Sequence, residues 1–167
     1  MKTTNFSKLT VSRFSIVSAK SFSEVIREID KRIGHPNIRE LYEELAKTST
    51  FQDYEKLINS EIGEAGLMEF LRVDLGSTLR KDPAAKSFQI VRIIAGNPLI
   101  MKKMVEFVPD AGSYAPVTIL VYEREDGVHL CYDLMESFLA TYENPRATQE
   151  AIALDSKVKK LLIEAAA

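Results

Sequence analysis

The sequence predicts an α/β protein of the α+β type, in two layers: a mixed, largely antiparallel sheet with helices on one face. Segments of strand and helix periodicity follow in the order strand, three helices, two strands, helix, two strands and helices. Asp126-Gly127 separates the last two strand segments and is typical of a tight antiparallel hairpin. The segments over 87–95 and 116–123 carry apolar residues on both faces, which indicates strands inside a sheet.

Length and composition fit one domain. The chain has 167 residues, of which 46% are hydrophobic and 28% charged, the ordinary balance of a globular protein. Residues 1–12 are polar and are predicted to form an N-terminal arm. Residues 13–167 are predicted to form a single domain, with residues 37–62 as a helical insertion.

The first strand is predicted over residues 13–19, and Ser21 opens the helix that follows. Ser21 and Glu24 have the spacing of a capping box, in which each side chain binds a free backbone amide of the first turn. Apolar residues then recur at helical spacing, and Gly34 is predicted to cap the helix at its C-terminal end.

Two further helices are predicted between the first helix and the second strand. Asn37 and Thr50 are suitable N-cap residues, and apolar residues recur at helical spacing after each of them. The two helices are predicted to pack against each other as a helical hairpin.

Residues 67–75 and 87–95 are predicted to be the next two strands, with a polar turn or loop between them. Gly96-Asn97-Pro98 then ends a strand and opens a short helix, since asparagine is a good N-cap and proline a good first helical residue. The remaining elements follow at similar spacing. They are a strand over 116–123, its return strand over 128–133, a short helix over 135–142 and a C-terminal helix after Asn144-Pro145.

Charge and composition argue against several classes of function. The formal net charge is −2, and the basic residues are scattered, so we expect no nucleic-acid partner. Cys131 is the single cysteine, which fits a reducing compartment. The N-terminus does not resemble a secretory signal, and no apolar run approaches the ~20 residues of a membrane span. A soluble cytoplasmic protein without a membrane partner is therefore expected.

Asn97 is the first candidate for ligand binding. Free amides at a helix N-terminus can hold an anion, and Lys102 lies one turn further on. The alternative interpretation, which the sequence favours, is a well-capped helix start. Nucleotide signatures need several glycines at fixed spacing, and this turn has one.

Acid–base chemistry has candidates in Asp74, His129 and Asp133. Asp74 and Asp133 lie near strand ends, and such a pair acts as acid and base only if the side chains converge. His129, Cys131 and Asp133 alternate on one strand and share a face, but neighbouring positions are about 7 Å apart, an awkward spacing for one tetrahedral ion. We predict no metal and no cofactor.

Two weaker hypotheses remain. Cys131 with the methionines, Met101 and Met104 above all, suggests redox or soft-metal sensing, although such methionines more often pack in a core. The segment 109–116 is loop-like and contains Tyr114, so it can close over a pocket or meet a partner, or act as a rigid connector.

The second half of the chain, together with the opening strand and helix at about 14–33, resembles the domain-of-unknown-function family 302. The residues that carry the resemblance are Ile94-Ala95-Gly96-Asn97-Pro98, the Pro-led strand from Ala115 to Glu123, and the Asp126-Gly127 turn with its return strand. Positions that match the family are Asn97, Pro98, Pro116, Tyr122 and Glu123. The helices over 37–62 and the C-terminal helical segment exceed the compact core of the family.

The resemblance implies a two-layer α/β domain that commonly pairs as a homodimer, and it implies no established activity. The leading prediction is therefore a homodimeric binding or interaction protein. The alternative is a small enzyme or anion-binding protein with a cleft at Asn97 and a small-molecule or anionic ligand. Lys102, Asp74, His129 and Asp133 are the other candidate ligand-binding residues.

Overall fold

The computed structural model describes residues 3–167 and contains one five-stranded sheet. The strands are β1 (Arg13–Ser18), β2 (Met68–Asp74), β3 (Ile90–Gly96), β4 (Val117–Arg124) and β5 (Gly127–Asp133). Their order across the sheet is β1-β5-β4-β3-β2, and every neighbouring pair is antiparallel. An isolated parallel bridge joins Gly34 to Met68. The α/β class, with its largely antiparallel sheet, is confirmed, and both strands with two apolar faces, β3 and β4, lie inside the sheet.

Within residues 3–167, seven α-helices accompany the sheet. They are α1 (Phe22–Asp30), α2 (Ile38–Leu45), α3 (Phe51–Glu61), α4 (Gly76–Leu79), α5 (Pro98–Val105), α6 (Met135–Leu139) and α7 (Pro145–Ala166). Short 3₁₀ turns cover Pro109–Ser113 and Ala140–Tyr142. The helix α4 lies where a polar loop was expected, and Asp74 accepts a hydrogen bond from Ser77 N at 3.0 Å at its start.

Most predicted helix starts are confirmed by their hydrogen bonds. Ser21 and Glu24 form the capping box of α1, and the side chains of Asn37 and Thr50 cap α2 and α3. Asn97 and Asn144 cap α5 and α7 in the same way. These contacts join residues two or three positions apart, so the local sequence is sufficient to form them.

The predicted cap at Gly34 is wrong. The helix α1 already ends at Asp30, and Gly34 N instead donates a hydrogen bond to Leu67 O at 2.9 Å. A Cβ atom at Gly34 would lie 1.8 Å from the backbone oxygen of Glu61. The close approach of two chain segments, rather than a helix end, therefore requires glycine here.

Helices cover one face of the sheet, which we call the covered face. Its buried residues pack with α1 and α7 into the main core; they are Ile93, Ala95, Val117, Ile119, Val121, Val128, Leu130 and Tyr132. A second, smaller cluster joins the helical hairpin of α2 and α3 to the start of β2 and contains Leu41, Leu45, Ile58 and Met68.

The predicted arm over residues 1–12 lies partly outside the described residues, which begin at Thr3. Residues 3–12 have no helix or strand and are mostly exposed. The end of this segment is fixed to the body, because Ser12 N donates to Ser137 Oγ at 3.1 Å and Leu134 N donates to Ser12 O at 2.8 Å.

Candidate functional site

The second face of the sheet, which we call the open face, is not packed against α1 or α7. Residues paired directly across antiparallel strands share a face, so the register defines its rows. One row runs Ser15, Cys131, Leu120, Arg92 and Val73, and the next runs Val17, His129, Tyr122 and Ile90. Val17 and Leu71 on the two edge strands are 48% and 55% exposed. Apolar side chains therefore reach solvent at both edges of this face.

A cleft of about 600 Å³ lies over one end of the open face. Its floor includes Ile94 and Leu120, and its rim includes Arg13, Arg92 and Asp133. Tyr114 and Phe138 stand on one side and stack on each other, with ring centroids 4.6 Å apart. The segment 109–116 thus contributes Tyr114 to a wall of the cleft.

Asp133 is neutralised at this rim. Arg13 donates two hydrogen bonds to its carboxylate, Nε to Oδ1 at 2.6 Å and Nη2 to Oδ2 at 2.8 Å. This hydrogen-bonded pairing with Asp133 raises the pKa of Arg13 further. A carboxylate held in this bidentate geometry has little free capacity for proton transfer or for a metal ion.

His129 lies at the other end of the open face. Its ring stacks on Tyr122 with centroids 5.2 Å apart, and its Nε2 atom is 2.8 Å from Asp126 Oδ1. The hydrogen bond to His129 lowers the pKa of Asp126. Asp126, in the turn before β5, therefore already occupies one ring nitrogen of His129.

Asp74 does not converge with His129. Asp74 pairs with Val91 and belongs to the row that continues to Val121 on the covered face, whereas His129 pairs with Tyr122 on the open face. Asp74 also binds the guanidinium of Arg80, which lowers the pKa of the carboxyl. The two side chains lie on opposite sides of the sheet, so they cannot serve one acid–base centre.

Cys131 and the methionines do not form one site. Cys131 is buried on the open face, and burial raises the pKa of its thiol, the opposite of what a reactive thiolate needs. Met135 reaches the cleft that Cys131 lines, but Met104 lies in the main core and Met68 in the small cluster of the helical hairpin. The thioethers therefore do not gather around the thiol.

Asn97 lines a second cavity, of about 450 Å³, which we call the Asn97 cavity. The cavity lies between the helical hairpin and the body of the protein. Tyr42 and Tyr54 come from the hairpin, Phe70 from β2 and Met101 from α5. Lys102 is outside its lining, because the ammonium binds Glu106 at 2.8 Å and lies over the Phe51 ring.

One group of metal-capable side chains was not predicted from the sequence. Asp30, His35 and Glu69 each offer a ligand atom within 4.8 Å of the other two. Arg72 binds both carboxylates, donating from Nη1 to Asp30 at 3.3 Å and from Nε to Glu69 at 3.1 Å. The guanidinium supplies the positive charge in this cluster. No spacing in the sequence signals it, because α1, the turn after it and β2 each contribute.

The aromatic residues of the Asn97 cavity were also missed as site residues. Tyr42 and Tyr54 belong to the two predicted helices that follow Asn37 and Thr50, and Phe70 belongs to the predicted strand over 67–75, so the sequence assigned all three to packing. They meet because the hairpin folds back over the start of β2, near Met68. Amphipathic helix patterns indicate that a face packs, but they do not indicate against which surface.

The arrangement defines the class of protein: an α+β domain with one open sheet face and an apolar cavity beside the helix that follows β3. No helix within residues 3–167 is long and apolar enough to cross a membrane. The chain belongs to the family described as Domain of unknown function DUF302, whose model matches residues 41–165. The match begins inside α2 and includes α3, so it extends over most of the hairpin interpreted as an insertion.

A solved structure has a similar fold. The fold is similar to the crystal structure of an uncharacterized conserved DUF302 protein from Bacillus stearothermophilus, with a TM-score of 0.64. The similarity covers 92% of this chain and 97% of that chain at 11% sequence identity. At this identity the comparison shows the fold alone. No curated protein matches the chain significantly.

Proposed function

We propose that the protein works as a homodimeric binding or interaction protein in which two copies meet through the open face of the sheet. The observation that carries the proposal is the exposure of apolar side chains at both edges of a face that neither α1 nor α7 covers. Val17 is 48% exposed and Leu71 is 55% exposed, at opposite edges of this face. Exposed apolar side chains on an uncovered sheet face are typical of an interface.

The polar groups of the open face fit a second copy of the same chain. An isologous dimer requires a self-complementary surface. With a two-fold axis parallel to the central strand β4, β3 of one copy lies over β5 of the other. Arg92, whose guanidinium donates to the Thr118 hydroxyl at 3.2 Å, then faces the strand that carries Asp133. Arg92 and the Arg13–Asp133 ion pair are therefore the charged groups near the apolar centre at Leu120.

The alternative, a small enzyme or anion-binding protein at Asn97, has less support. Its candidate acid and base groups, Asp74 and His129, lie on opposite faces of the sheet. Its candidate cation, Lys102, is paired with Glu106. The alternative therefore lacks a convergent set of polar side chains.

The test is the mass of the protein in solution with an interface variant and a matched control. We expect sedimentation equilibrium to give twice the chain mass for the unaltered protein. Leu71→Glu places a charge in the proposed interface and should raise the dimer dissociation constant at least about tenfold. Ile163→Glu is the control, because Ile163 on α7 is 48% exposed and lies away from the sheet.

Two results contradict the proposal. A monomeric unaltered protein at micromolar concentrations is one of them. Equal weakening of the dimer by Leu71→Glu and Ile163→Glu is the other, because it places the interface elsewhere or indicates a general loss of stability. Circular dichroism of both variants verifies that they fold.

A further inference from the structure

We propose that the Asn97 cavity is a binding site for a neutral, apolar small molecule that carries an aromatic ring. The site is formed within one copy of the chain and is independent of the proposed dimer. The first support is its size, since about 450 Å³ falls within the range of about 300–1,000 Å³ that is usual for small-molecule sites.

The second support is the absence of charge from the lining. Most of the lining side chains are apolar, and none belongs to Asp, Glu, Lys, Arg or His; they are Ile38, Tyr42, Tyr54, Phe70, Pro98, Met101, Met104, Ala115, Pro116, Val117 and Leu154, with Asn97, Gly96 and Gly112. Moving a charged group from water into such surroundings without a partner is costly. The cavity therefore selects against anions and cations alike.

The third support is that both polar atoms of the Asn97 side chain are already engaged within the chain. Its Nδ2 atom donates to Gly66 O at 3.0 Å, and its Oδ1 atom accepts from Leu99 N at 2.8 Å. The side chain therefore joins α5 to the turn before β2 and satisfies one of the free amides at the helix start. One hydrogen of Nδ2 is left for a ligand, and a single neutral donor compensates the desolvation of an anion poorly.

The aromatic character of the ligand follows from the walls. Tyr42, Tyr54 and Phe70 present rings to the cavity, and Met101 adds a thioether that packs well against aromatic groups. Burial is the main cause that raises the pKa of Tyr54, so its phenol stays neutral at physiological pH. The hydroxyls of Tyr42 and Tyr54 can then exchange a hydrogen bond with one polar group of the ligand.

The experiment compares two probes with the same aromatic skeleton. N-phenyl-1-naphthylamine is neutral, whereas 1-anilinonaphthalene-8-sulfonate carries one negative charge. Fluorescence titration of the full chain should show one N-phenyl-1-naphthylamine site per chain. We expect its dissociation constant to be at least tenfold lower than that of the sulfonate.

Variants locate the site. Met101→Trp adds volume inside the cavity and should weaken binding of the neutral probe at least tenfold, whereas Ile163→Trp on the exposed surface of α7 should leave it unchanged. Tyr42→Lys is a second variant, chosen because Tyr42 is 55% exposed and tolerates substitution. The added ammonium should weaken the neutral probe and strengthen the sulfonate, reversing their order.

Three results overturn the inference. The first is failure of the neutral probe to bind the unaltered protein. The second is binding of the sulfonate as tightly as the neutral probe. The third is a pattern in which Leu71→Glu loses probe binding while Met101→Trp and Tyr42→Lys retain it. That pattern would place the probe on the open face of the sheet. If Leu71→Glu is monomeric and still binds the neutral probe, the loss of the dimer supports the proposed interface, and the retained binding supports a site within one chain.

Discussion

The phenol of Tyr132 on β5 donates a hydrogen bond of 2.6 Å to the carboxylate of Asp155, which lies in the middle of α7 and is 1% exposed. The same carboxylate accepts bonds from Met135 N at 2.8 Å and Glu136 N at 3.0 Å, at the start of α6. Leu134, the N-cap residue of α6, offers no side-chain cap. One buried side chain therefore joins the sheet, α6 and α7. Burial is the main cause that raises the pKa of Tyr132, and the charge of Asp155 raises it further. The phenol therefore stays protonated and remains the donor.

Substitution of this pair should lower the free energy of unfolding unequally. Tyr132→Phe removes one donor to a charged acceptor, and we expect a loss of about 1.5–3 kcal/mol. Asp155→Ala leaves three donors without their acceptor, two of them buried, so its loss should be larger, at least about 3 kcal/mol. Urea unfolding measures both, with Glu55→Ala on the exposed surface of α3 as control. Equal losses for both variants would show that the backbone amides find other acceptors.

The ion pairs of α1 predict a dependence of stability on pH. Hydrogen bonds lower the pKa of Glu28 to about 2 from an ordinary value of 4.5, with the bond from Lys31 as the largest cause and the bond from Arg32 as the next. Because the folded state has the lower pKa, this contribution to stability is present above about pH 4.5 and is lost as the pH falls through about 2. Glu28→Gln should make stability less dependent on pH between these values. The measurement is urea unfolding at pH 7, 4 and 3; an unchanged pH profile in the variant contradicts the assignment.

A truncation in the small cluster that attaches α2 and α3 should loosen the helical hairpin and leave the rest of the domain folded. Ile58 is fully buried in the small cluster that attaches α2 and α3. Ile58→Ala should cost about 2–5 kcal/mol locally and should increase amide hydrogen exchange over residues 38–61. Leu161→Ala is the matched truncation in the main core and should increase exchange across the sheet instead. The same exchange pattern in both variants would show that the two clusters unfold together.

Two glycines with positive φ predict graded effects of alanine. Gly127 has φ of +136°, and a Cβ atom there would lie 2.6 Å from Ser18 O. Gly66 has φ of +71°, and the nearest atom to its Cβ position is the flexible Lys157 amine at 3.4 Å. Gly66→Ala should therefore cost only the backbone strain, about 1–2 kcal/mol. Gly127→Ala should cost more, because Ser18 on β1 must move. Thermal unfolding of the two variants tests the order.

An exchange of charge on the open face tests the proposed dimer independently of its apolar residues. Arg92→Glu should weaken dimerisation at least about tenfold, because it would bury a carboxylate in the proposed interface opposite a cation, Arg13, that is already paired with Asp133. Arg39→Glu on the exposed surface of α2 is the control for an equal change in net charge. Native mass spectrometry at a series of concentrations gives both dissociation constants. An unaltered dimer in Arg92→Glu would exclude the pairing of β3 over β5.

Several elements could be predicted because their causes are local. Ser21, Asn37 and Thr50 cap helices through bonds to residues three positions away, and Asp126-Gly127 closes a tight turn between adjacent strands. The α+β class followed from the same local patterns. Gly34 shows the limit, since its prediction as a helix cap was wrong. Its actual requirement for glycine comes from Glu61, a residue of another helix.

The candidate site depended on contacts between distant parts of the chain. Asn97 was predicted as a helix cap and does line a cavity, but the rings of Tyr42, Tyr54 and Phe70 give that cavity its character. Asp74 and His129 were grouped by residue type, and the strand register separates them. The sequence by itself determined the caps, the turns and the apolar faces, because neighbouring residues create them. Only the tertiary structure decided which faces meet, because strand order and the fold of the hairpin bring together residues far apart in the chain.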